Sequence, residues 1–184
     1  MTGEGGLYFI ETLGCPKNQV DSDKLEGTLI ADGMTAAESA DQADLIVVNT
    51  CAFIEEAREE SIHTILALDN DRSDNSKLIV TGCMAERYGD ELAEALPEAD
   101  SIAGFGVPVT IGSKPKAPLL DLLHLPRPPS RSPWAYVKIA EGCDRACGFC
   151  AIPTFRGPQR SRTIDDICRE VDELHAKEIV LVAQ

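Results

Sequence analysis

The sequence predicts an α/β protein that begins with a parallel sheet and continues into a second parallel α/β unit. Two observations predict this class. Short, continuous apolar runs, which are typical of strands buried on both faces, alternate with stretches of helical periodicity. A dense run of prolines then separates this alternating part from a second strand–helix–strand pattern. Alternation at this spacing favours parallel strands joined by right-handed crossovers.

The first part of the chain contains four predicted strands, over residues 7–10, 45–48, 78–80 and 101–103. Helical periodicity between them predicts one helix that ends near Asp32, one over 55–68 and one that Pro97 stops. Together these elements predict a Rossmann-like parallel-sheet domain over residues 1–106.

Seven prolines fall within residues 107–133, a density that disfavours helix and central strand. This segment is therefore predicted to be a linker, with a short turn at 119–123. Beyond it, residues 134–184 predict a strand at 135–139, a helix at 163–177 and a strand at 179–182. One such unit cannot bury its own sheet, so we expect it to be the start of a larger, truncated domain.

The net charge of −14 is unevenly distributed along the 184 residues. Residues 1–106 carry 6 basic and 22 acidic side chains, whereas residues 107–184 carry 11 basic and 9 acidic ones. The acidic part attracts a cationic partner and repels phosphate, so nucleic acid is not favoured as a partner.

The compartment follows from two features that the sequence lacks. No apolar run approaches the roughly 20 residues that span a bilayer, and the N-terminus has no basic segment or apolar stretch of a signal peptide. We therefore expect a cytoplasmic protein without a membrane partner. Seven cysteines in such a protein favour metal binding or catalysis over disulfides.

The sharpest local motif is CDRACGFC, in which Cys143, Cys147 and Cys150 follow the spacing CxxxCxxC. It lies between a predicted strand and a predicted helix, so three thiolates can converge on one metal centre. A closed zinc site takes four ligands, whereas three cysteines leave one iron of a 4Fe–4S cluster open to a small molecule. A zinc knuckle completed by Cys168 or His175 is the alternative.

Three further cysteines, Cys15, Cys51 and Cys83, each follow a predicted strand, with separations of 36 and 32 residues. The carboxyl ends of parallel strands share one edge of a sheet, where ligands bind. A single buried cysteine is usually a small core residue. Three at equivalent strand ends favour a second metal site over that alternative.

The CxxxCxxC motif resembles the signature of the radical S-adenosyl-L-methionine (SAM) enzymes. The resemblance implies that Cys143, Cys147 and Cys150 hold a 4Fe–4S cluster whose free iron binds SAM. It also implies that Phe149 packs near the adenine of SAM. Residues 134–184 would then be the start of a radical SAM (β/α) barrel.

Motifs over the rest of the chain are similar to those of the methylthiotransferases, in which an N-terminal α/β domain precedes a radical SAM barrel. The matching segments are GCPKN at 14–18, DS at 21–22, NTC at 49–51, TGC at 81–83, CAIP at 150–153, RG at 156–157 and SR at 161–162. The resemblance implies that Cys15, Cys51 and Cys83 hold an auxiliary 4Fe–4S cluster that takes part in sulfur delivery.

The GCPKN segment is similar to the branch that methylthiolates an aspartate β-carbon of the twelfth small-subunit ribosomal protein. The acidic charge of residues 1–106 agrees with a basic ribosomal protein substrate. The family also implies a flavodoxin- or ferredoxin-like reductant protein. The alternatives are methylthiolation of transfer RNA adenosines, or a non-catalytic iron–sulfur or zinc module if the chain is the whole protein.

Other polar residues near the cysteines have two interpretations each. Arg156, Arg160 and Arg162 either form a solvated basic loop or meet a carboxylate of the cofactor or substrate. Lys17 and Asn18 either line the crevice beside the first cysteine or are exposed.

The seventh cysteine, Cys168, lies within the predicted helix at 163–177. Its spacing from Ile164, Val171 and Leu174 places it on one apolar helix face, which predicts a core role.

Overall fold

The computed structural model describes residues 5–105 and 121–183. Its first part is a wholly parallel five-stranded sheet with the order β2-β1-β3-β4-β5. The strands are β1 (Leu7–Thr12), β2 (Thr35–Ala36), β3 (Leu45–Thr50), β4 (Lys77–Gly82) and β5 (Ser101–Ile102). The helices between them are α1 (Pro16–Ala31), α2 (Glu55–Asp71) and α3 (Cys83–Ala95). The predicted Rossmann-like fold is confirmed, and only the short β2 was missed.

The central strand β3 is buried along its whole length, as the continuous apolar run predicts. Its side chains alternate between two apolar clusters on opposite faces of the sheet. Leu45 packs in one cluster with Leu25 of α1. Ile46 packs in the other with Ile65 of α2 and Met84 of α3. Helices therefore cover both faces and leave the carboxyl edge of the sheet for a site.

The second part contains the predicted strand–helix–strand unit. It consists of the parallel strands β6 (Trp134–Lys138) and β9 (Glu178–Val182), joined through α5 (Ile164–Leu174). Three short elements between β6 and α5 were not predicted: β7 (Ala140–Glu141), α4 (Ile152–Arg156) and β8 (Arg160–Ser161). Strands β7 and β8 pair antiparallel. They bring the segment that follows the CxxxCxxC motif back beside β6.

The predicted core role of Cys168 is wrong. On α5, Val171 and Leu174 pack against β6, but Cys168 is exposed and Ile164 is 77% exposed. Among the described residues, the helix faces a sheet of two strands, β6 and β9. Its apolar face is wider than this support, so the residues on one side of the face extend beyond it.

The predicted linker is only partly within the described residues, because 106–120, including the start of the turn predicted at 119–123, lie outside them. A turn is present at residues 122–124. Within it, the carbonyl of the buried Leu123 accepts a hydrogen bond from Nζ of Lys24 at 2.8 Å. Arg127 forms an ion pair with Asp23 at 2.7 Å. The described part of the linker is thus packed against α1.

An ion pair at the start of β4 gives a prediction for acid stability. Asp100 accepts hydrogen bonds from the Leu78 N–H and Lys77, both at 2.9 Å, and from Arg72. Burial alone would raise the pKa of Asp100, but these partners lower it to about 2. We expect Asp100→Asn to cost about 1–2 kcal/mol of unfolding free energy at pH 7. Because the folded pKa lies below the unfolded one, this difference should vanish as the pH falls from 4 through 2.

Urea unfolding of the wild type and of Asp100→Asn, each at pH 7 and at pH 2, measures this difference. The matched control is Asp74→Asn, in the exposed turn that precedes β4. A pH-independent difference would contradict the assigned role of the Asp100 charge.

Candidate functional site

Three cysteines lie at the carboxyl edge of the sheet, after three neighbouring strands. Cys15 is the N-cap of α1 after β1, Cys51 directly follows β3, and Cys83 follows β4 and begins α3. The chain runs from β1 to β2 in one direction and from β3 to β5 in the other. Cys15 and Cys51 therefore flank the switch point between β1 and β3, where ligands of open parallel sheets bind.

A glycine with positive φ precedes two of these cysteines and lets the loops approach closely. Gly14 has φ +90°, and a Cβ there would lie 2.8 Å from Sγ of Cys51. Gly82 has φ +93°, and a Cβ there would lie 2.3 Å from Oδ1 of Asn49 and 2.5 Å from the Thr50 carbonyl. Neither the backbone angle nor the space admits a side chain. The glycines before Cys15 and Cys83 thus allow the loops at this edge to pack closely together.

We expect Gly82→Ala to lower the unfolding free energy by about 3 kcal/mol, from backbone strain and the clash with β3 together. The matched control is Gly33→Ala, which has φ +85° but no atom within 4 Å of its Cβ position. It should cost only the backbone term, about 1 kcal/mol. Chemical denaturation of the two variants measures the difference. Equal costs would contradict the close packing at Gly82.

Buried amides tie the cysteine loops together. Nδ2 of Asn18 donates to the carbonyls of Leu13 and Thr50, at 2.8 and 2.9 Å, and so links the loop after β1 to the end of β3. Nδ2 of Asn49 donates to the Asn18 carbonyl and to Ser22 Oγ, both at 2.9 Å. Asn18 therefore belongs to the crevice, whereas a role for Lys17 there is still a prediction.

Arg156 of α4 reaches into this edge from the second part of the chain. Its Nη2 lies 3.0 Å from Sγ of Cys83 and 2.7 Å from Oδ1 of Asn18. The guanidinium also stacks over the ring of Phe105, 4.2 Å from its centroid. Of the two interpretations of this arginine, the solvated loop is wrong, because its side chain is only 2% exposed.

The carboxylates that Arg156 meets belong to the protein itself. Its Nη1 lies 2.8 Å from Asp21 of α1 and 3.1 Å from Glu141 of β7. Lys138 of β6 contacts the same two carboxylates, at 2.5 and 2.6 Å. All four side chains are buried, and their charges sum to zero. We call Asp21, Lys138, Glu141 and Arg156 the charge cluster.

The charge cluster and the thiols shift each other's titration. Burial alone would raise the pKa of Asp21, but Lys138 and Arg156 together lower it below its usual value. Burial raises the pKa of the Cys83 thiol, while Arg156 opposes this rise and the neighbouring Cys51 and Cys15 add to it. Arg156 thus favours the thiolate form of Cys83, against burial and the other two edge thiols.

The other two arginines behave differently from Arg156. The side chain of Arg162 is 4% exposed and forms an ion pair with Glu170. Arg160 is half-exposed and forms an ion pair with Asp121 at 3.2 Å.

The second cysteine set lies on the loop between β7 and α4. Cys143, like Cys15 and Cys83, directly follows a glycine with positive φ. A Cβ at this glycine, Gly142, would lie 2.2 Å from the Pro158 carbonyl oxygen. Cys143 and Cys150 are partly buried against the same apolar cluster that contains Cys83. Cys147 is exposed. Cysteines of both sets, Cys83 of the first and Cys143 and Cys150 of the second, thus contact one apolar cluster.

Phe149, in the same loop, is 96% exposed. Its predicted contact with the adenine of SAM involves a ligand and stays a prediction.

Over residues 5–105 and 121–183, no group of three or more His, Cys, Asp or Glu side chains is gathered closely enough to hold one metal ion. A 4Fe–4S cluster is larger than an ion and takes each thiolate on a different iron, so its ligands need not meet at a point. Three thiols on three adjacent loops, with a cation beside one, suit that group in donor type and charge. The cysteine ligand sets stay predictions.

The roles of Lys138 and Glu141 were not predicted from the sequence. Lys138 lies in an otherwise alternating strand, and Glu141 stands directly before the cysteine loop. A lysine at a core position of a strand was the available signal, because such a charge requires a buried partner.

The fold and the edge cysteines define a doubly wound α/β protein with a cysteine-lined crevice at its switch point. Residues 7–104 match the model of a family described as Uncharacterized protein family UPF0004, and the chain belongs to this family.

The chain is similar over nearly its whole length to proteins named Ribosomal protein uS12 methylthiotransferase RimO. That of Myxococcus xanthus (strain DK1622) is 45% identical over 195 residues, covering 97% of this chain and 41% of the relative. That of Desulfosudis oleivorans (strain DSM 6200 / JCM 39069 / Hxd3) is 47% identical over 196 residues, covering 95% and 44%. The chain thus spans about two fifths of the length of these curated relatives. The predicted resemblance to the methylthiotransferases is confirmed.

Proposed function

We propose that this chain is the cluster-binding part of a radical SAM methylthiotransferase that modifies an aspartate β-carbon of ribosomal protein uS12. One observation carries the proposal: cysteines of both three-cysteine sets contact one apolar cluster, Cys83 from the carboxyl edge of the sheet and Cys143 and Cys150 from the CxxxCxxC loop. The relatives' printed name supports the transfer reaction and its substrate. Within this proposal, residues 1–106 form the methylthiotransferase N-terminal domain, 107–133 the linker and 134–184 the start of the barrel.

Each cysteine set would hold one of two 4Fe–4S clusters. Cys143, Cys147 and Cys150 would hold the cluster that binds SAM, and the set at the sheet edge would hold the auxiliary cluster. When bound, the clusters and SAM would supply one-electron chemistry for an unreactive C–H bond, and SAM would also supply the methyl group.

The chain's own residues would orient the cofactors and exclude water. Ile152 and Phe155 of α4 are buried in the apolar cluster that Cys83, Cys143 and Cys150 contact, and would help to keep water from it. Phe149, being exposed, is available to pack against the adenine of SAM. Arg156 donates to a cysteine sulfur, and hydrogen bonds to sulfur tune the potentials of such sites.

The surface beside Cys51 suits a basic substrate protein. Exposed carboxylates at the start of α2 follow the exposed Phe53 and Ile54; they are Glu55, Glu56, Glu59 and Glu60. Together they offer charge attraction and apolar contact to a cationic protein.

The remaining partners follow from the same proposal. A flavodoxin- or ferredoxin-like protein would deliver electrons, and the reaction would take place in the cytoplasm. Among the described residues, no helix combines the length and apolar character that crossing a bilayer requires.

The direct test compares the two candidate substrates. The active enzyme is supplied anaerobically with SAM and dithionite, and offered uS12 and transfer RNA in separate reactions. We expect mass spectrometry to find a methylthio group on one aspartate of uS12 and none on adenosine. Modification of adenosine alone would establish the transfer RNA activity instead. No modification of either, with no bound iron, would establish a non-catalytic module.

A further inference from the structure

We propose that Arg156 is a positioning residue for the site formed by Cys15, Cys51 and Cys83. Its guanidinium holds the Cys83 sulfur through an N–H···S hydrogen bond, and thereby raises the reduction potential of the cluster bound there. This inference rests on the proposed function, because it assumes that these cysteines bind an iron–sulfur cluster.

The contacts are those of a fixed side chain. Nη2 of Arg156 donates to both Cys83 Sγ, at 3.0 Å, and Asn18 Oδ1, at 2.7 Å. Asn18 in turn donates to the carbonyls of Leu13 and Thr50, which directly precede the loops of Cys15 and Cys51. The guanidinium plane is further fixed by the ring of Phe105, 4.2 Å away. The donor therefore has little freedom to leave the sulfur.

The other terminal guanidinium nitrogen, Nη1, is anchored on the opposite side. Asp21 and Glu141 accept from it at 2.8 and 3.1 Å, and both carboxylates are also bound by Lys138. Arginine presents several donors in one rigid plane, so it can contact sulfur on one side and carboxylates on the other. A lysine or glutamine at this position cannot make all of these contacts.

The direction of the electrostatic effect follows from charge. Reduction adds one electron to a cluster that thiolates already make negative. A buried cation and an N–H···S hydrogen bond stabilise the more negative state, so the potential rises. Arg156 also lies only six residues after Cys150 in the chain. The segment that carries one cysteine set therefore supplies the donor that controls the other.

The test uses a background in which Cys143, Cys147 and Cys150 are alanine, so that only the edge site can bind a cluster. After anaerobic reconstitution, the midpoint potential is measured by dithionite titration with electron paramagnetic resonance detection. The variant is Arg156→Gln. The charge-balanced pair Arg156→Gln/Glu141→Gln protects the test against misfolding, because it leaves the Lys138–Asp21 ion pair intact. The matched control is Arg160→Gln, which removes a half-exposed arginine of the same segment.

We expect both Arg156 variants to have a lower potential and an altered resonance signal at unchanged iron content, and the control to match the parent. Equal potentials in the parent and the Arg156 variants would overturn this inference and leave the proposed function standing. An equal shift in Arg160→Gln would also overturn it, since the effect would then be general charge. The parent is the protein in which only Cys143, Cys147 and Cys150 are replaced. Absence of iron and sulfide from this parent would overturn the proposed function, and this inference with it.

Discussion

In the active enzyme, replacing Cys143, Cys147 or Cys150 with alanine is expected to abolish the reductive cleavage of SAM. Each of these thiols would be one of only three protein ligands of the cluster that binds SAM, so no second ligand compensates for its loss. Replacing Cys15 is expected to leave cleavage largely intact and to abolish methylthio transfer, because Cys15 lies at the other site. The two products, 5′-deoxyadenosine and methylthiolated uS12, are quantified separately by chromatography and mass spectrometry.

The matched control for this prediction is Cys168→Ala. This cysteine is exposed on α5, away from both sets, so its loss should change neither product. Full cleavage by any of the three loop variants would contradict the assignment of the loop. Loss of cleavage in Cys15→Ala, together with loss of the loop cluster, would contradict the separation of the two sites.

Asp21→Ala is expected to lower the free energy of unfolding by about 3–5 kcal/mol, the cost of breaking a buried ion pair by removing one partner. Its carboxylate is 2% exposed and accepts from both Lys138 and Arg156. Without it, two buried cations share Glu141 alone. Because the charge cluster joins α1 to the segment after the linker, the loss should affect both parts of the chain. Urea unfolding followed by circular dichroism measures it.

A double-mutant cycle separates charge from packing. The double variant Asp21→Leu/Lys138→Met removes one charge of each sign and leaves Arg156 paired with Glu141. Its loss of unfolding free energy should therefore be smaller than the losses of Asp21→Leu and Lys138→Met added together. The control Asp32→Ala, at the exposed end of α1, should stay within about 0.5 kcal/mol of wild type. Additive costs in the cycle would show that the two side chains do not interact.

Local patterns in the sequence predicted most of the first sheet. Continuous β-branched runs identify strands buried on both faces, and the three cysteines that follow them could be assigned to one edge because parallel strands share their carboxyl ends. The prediction from helical periodicity was wrong on α5, where Ile164 and Cys168 follow the helical period but are exposed. The period identifies an apolar face, but the width of the opposing sheet decides how much of it is buried.

The charge cluster could not be predicted, because its partners are distant in sequence. Asp21 and Arg156 are 135 residues apart, and Asp21 and Lys138 are 117 apart. No periodic pattern links such positions. A buried lysine indicates that a partner exists, but it does not identify which of 31 acidic residues that partner is.

The uneven charge of the chain has a second explanation besides a basic partner. Asp21 and Asp23 on α1 form ion pairs with Arg156 and Arg127 from the later part of the chain. Part of the acidity of residues 1–106 is therefore balanced within the molecule. The exposed carboxylates at the start of α2 are among those left to attract a basic protein.

Iron, acid-labile sulfide and zinc per chain, measured after anaerobic reconstitution, test the assignment of two cysteine-held clusters most directly. We expect about eight iron and eight sulfide, which corresponds to two 4Fe–4S clusters. About four of each would mean that one cysteine set binds no cluster. Zinc without sulfide would contradict the assignment of both clusters and indicate a structural metal site instead.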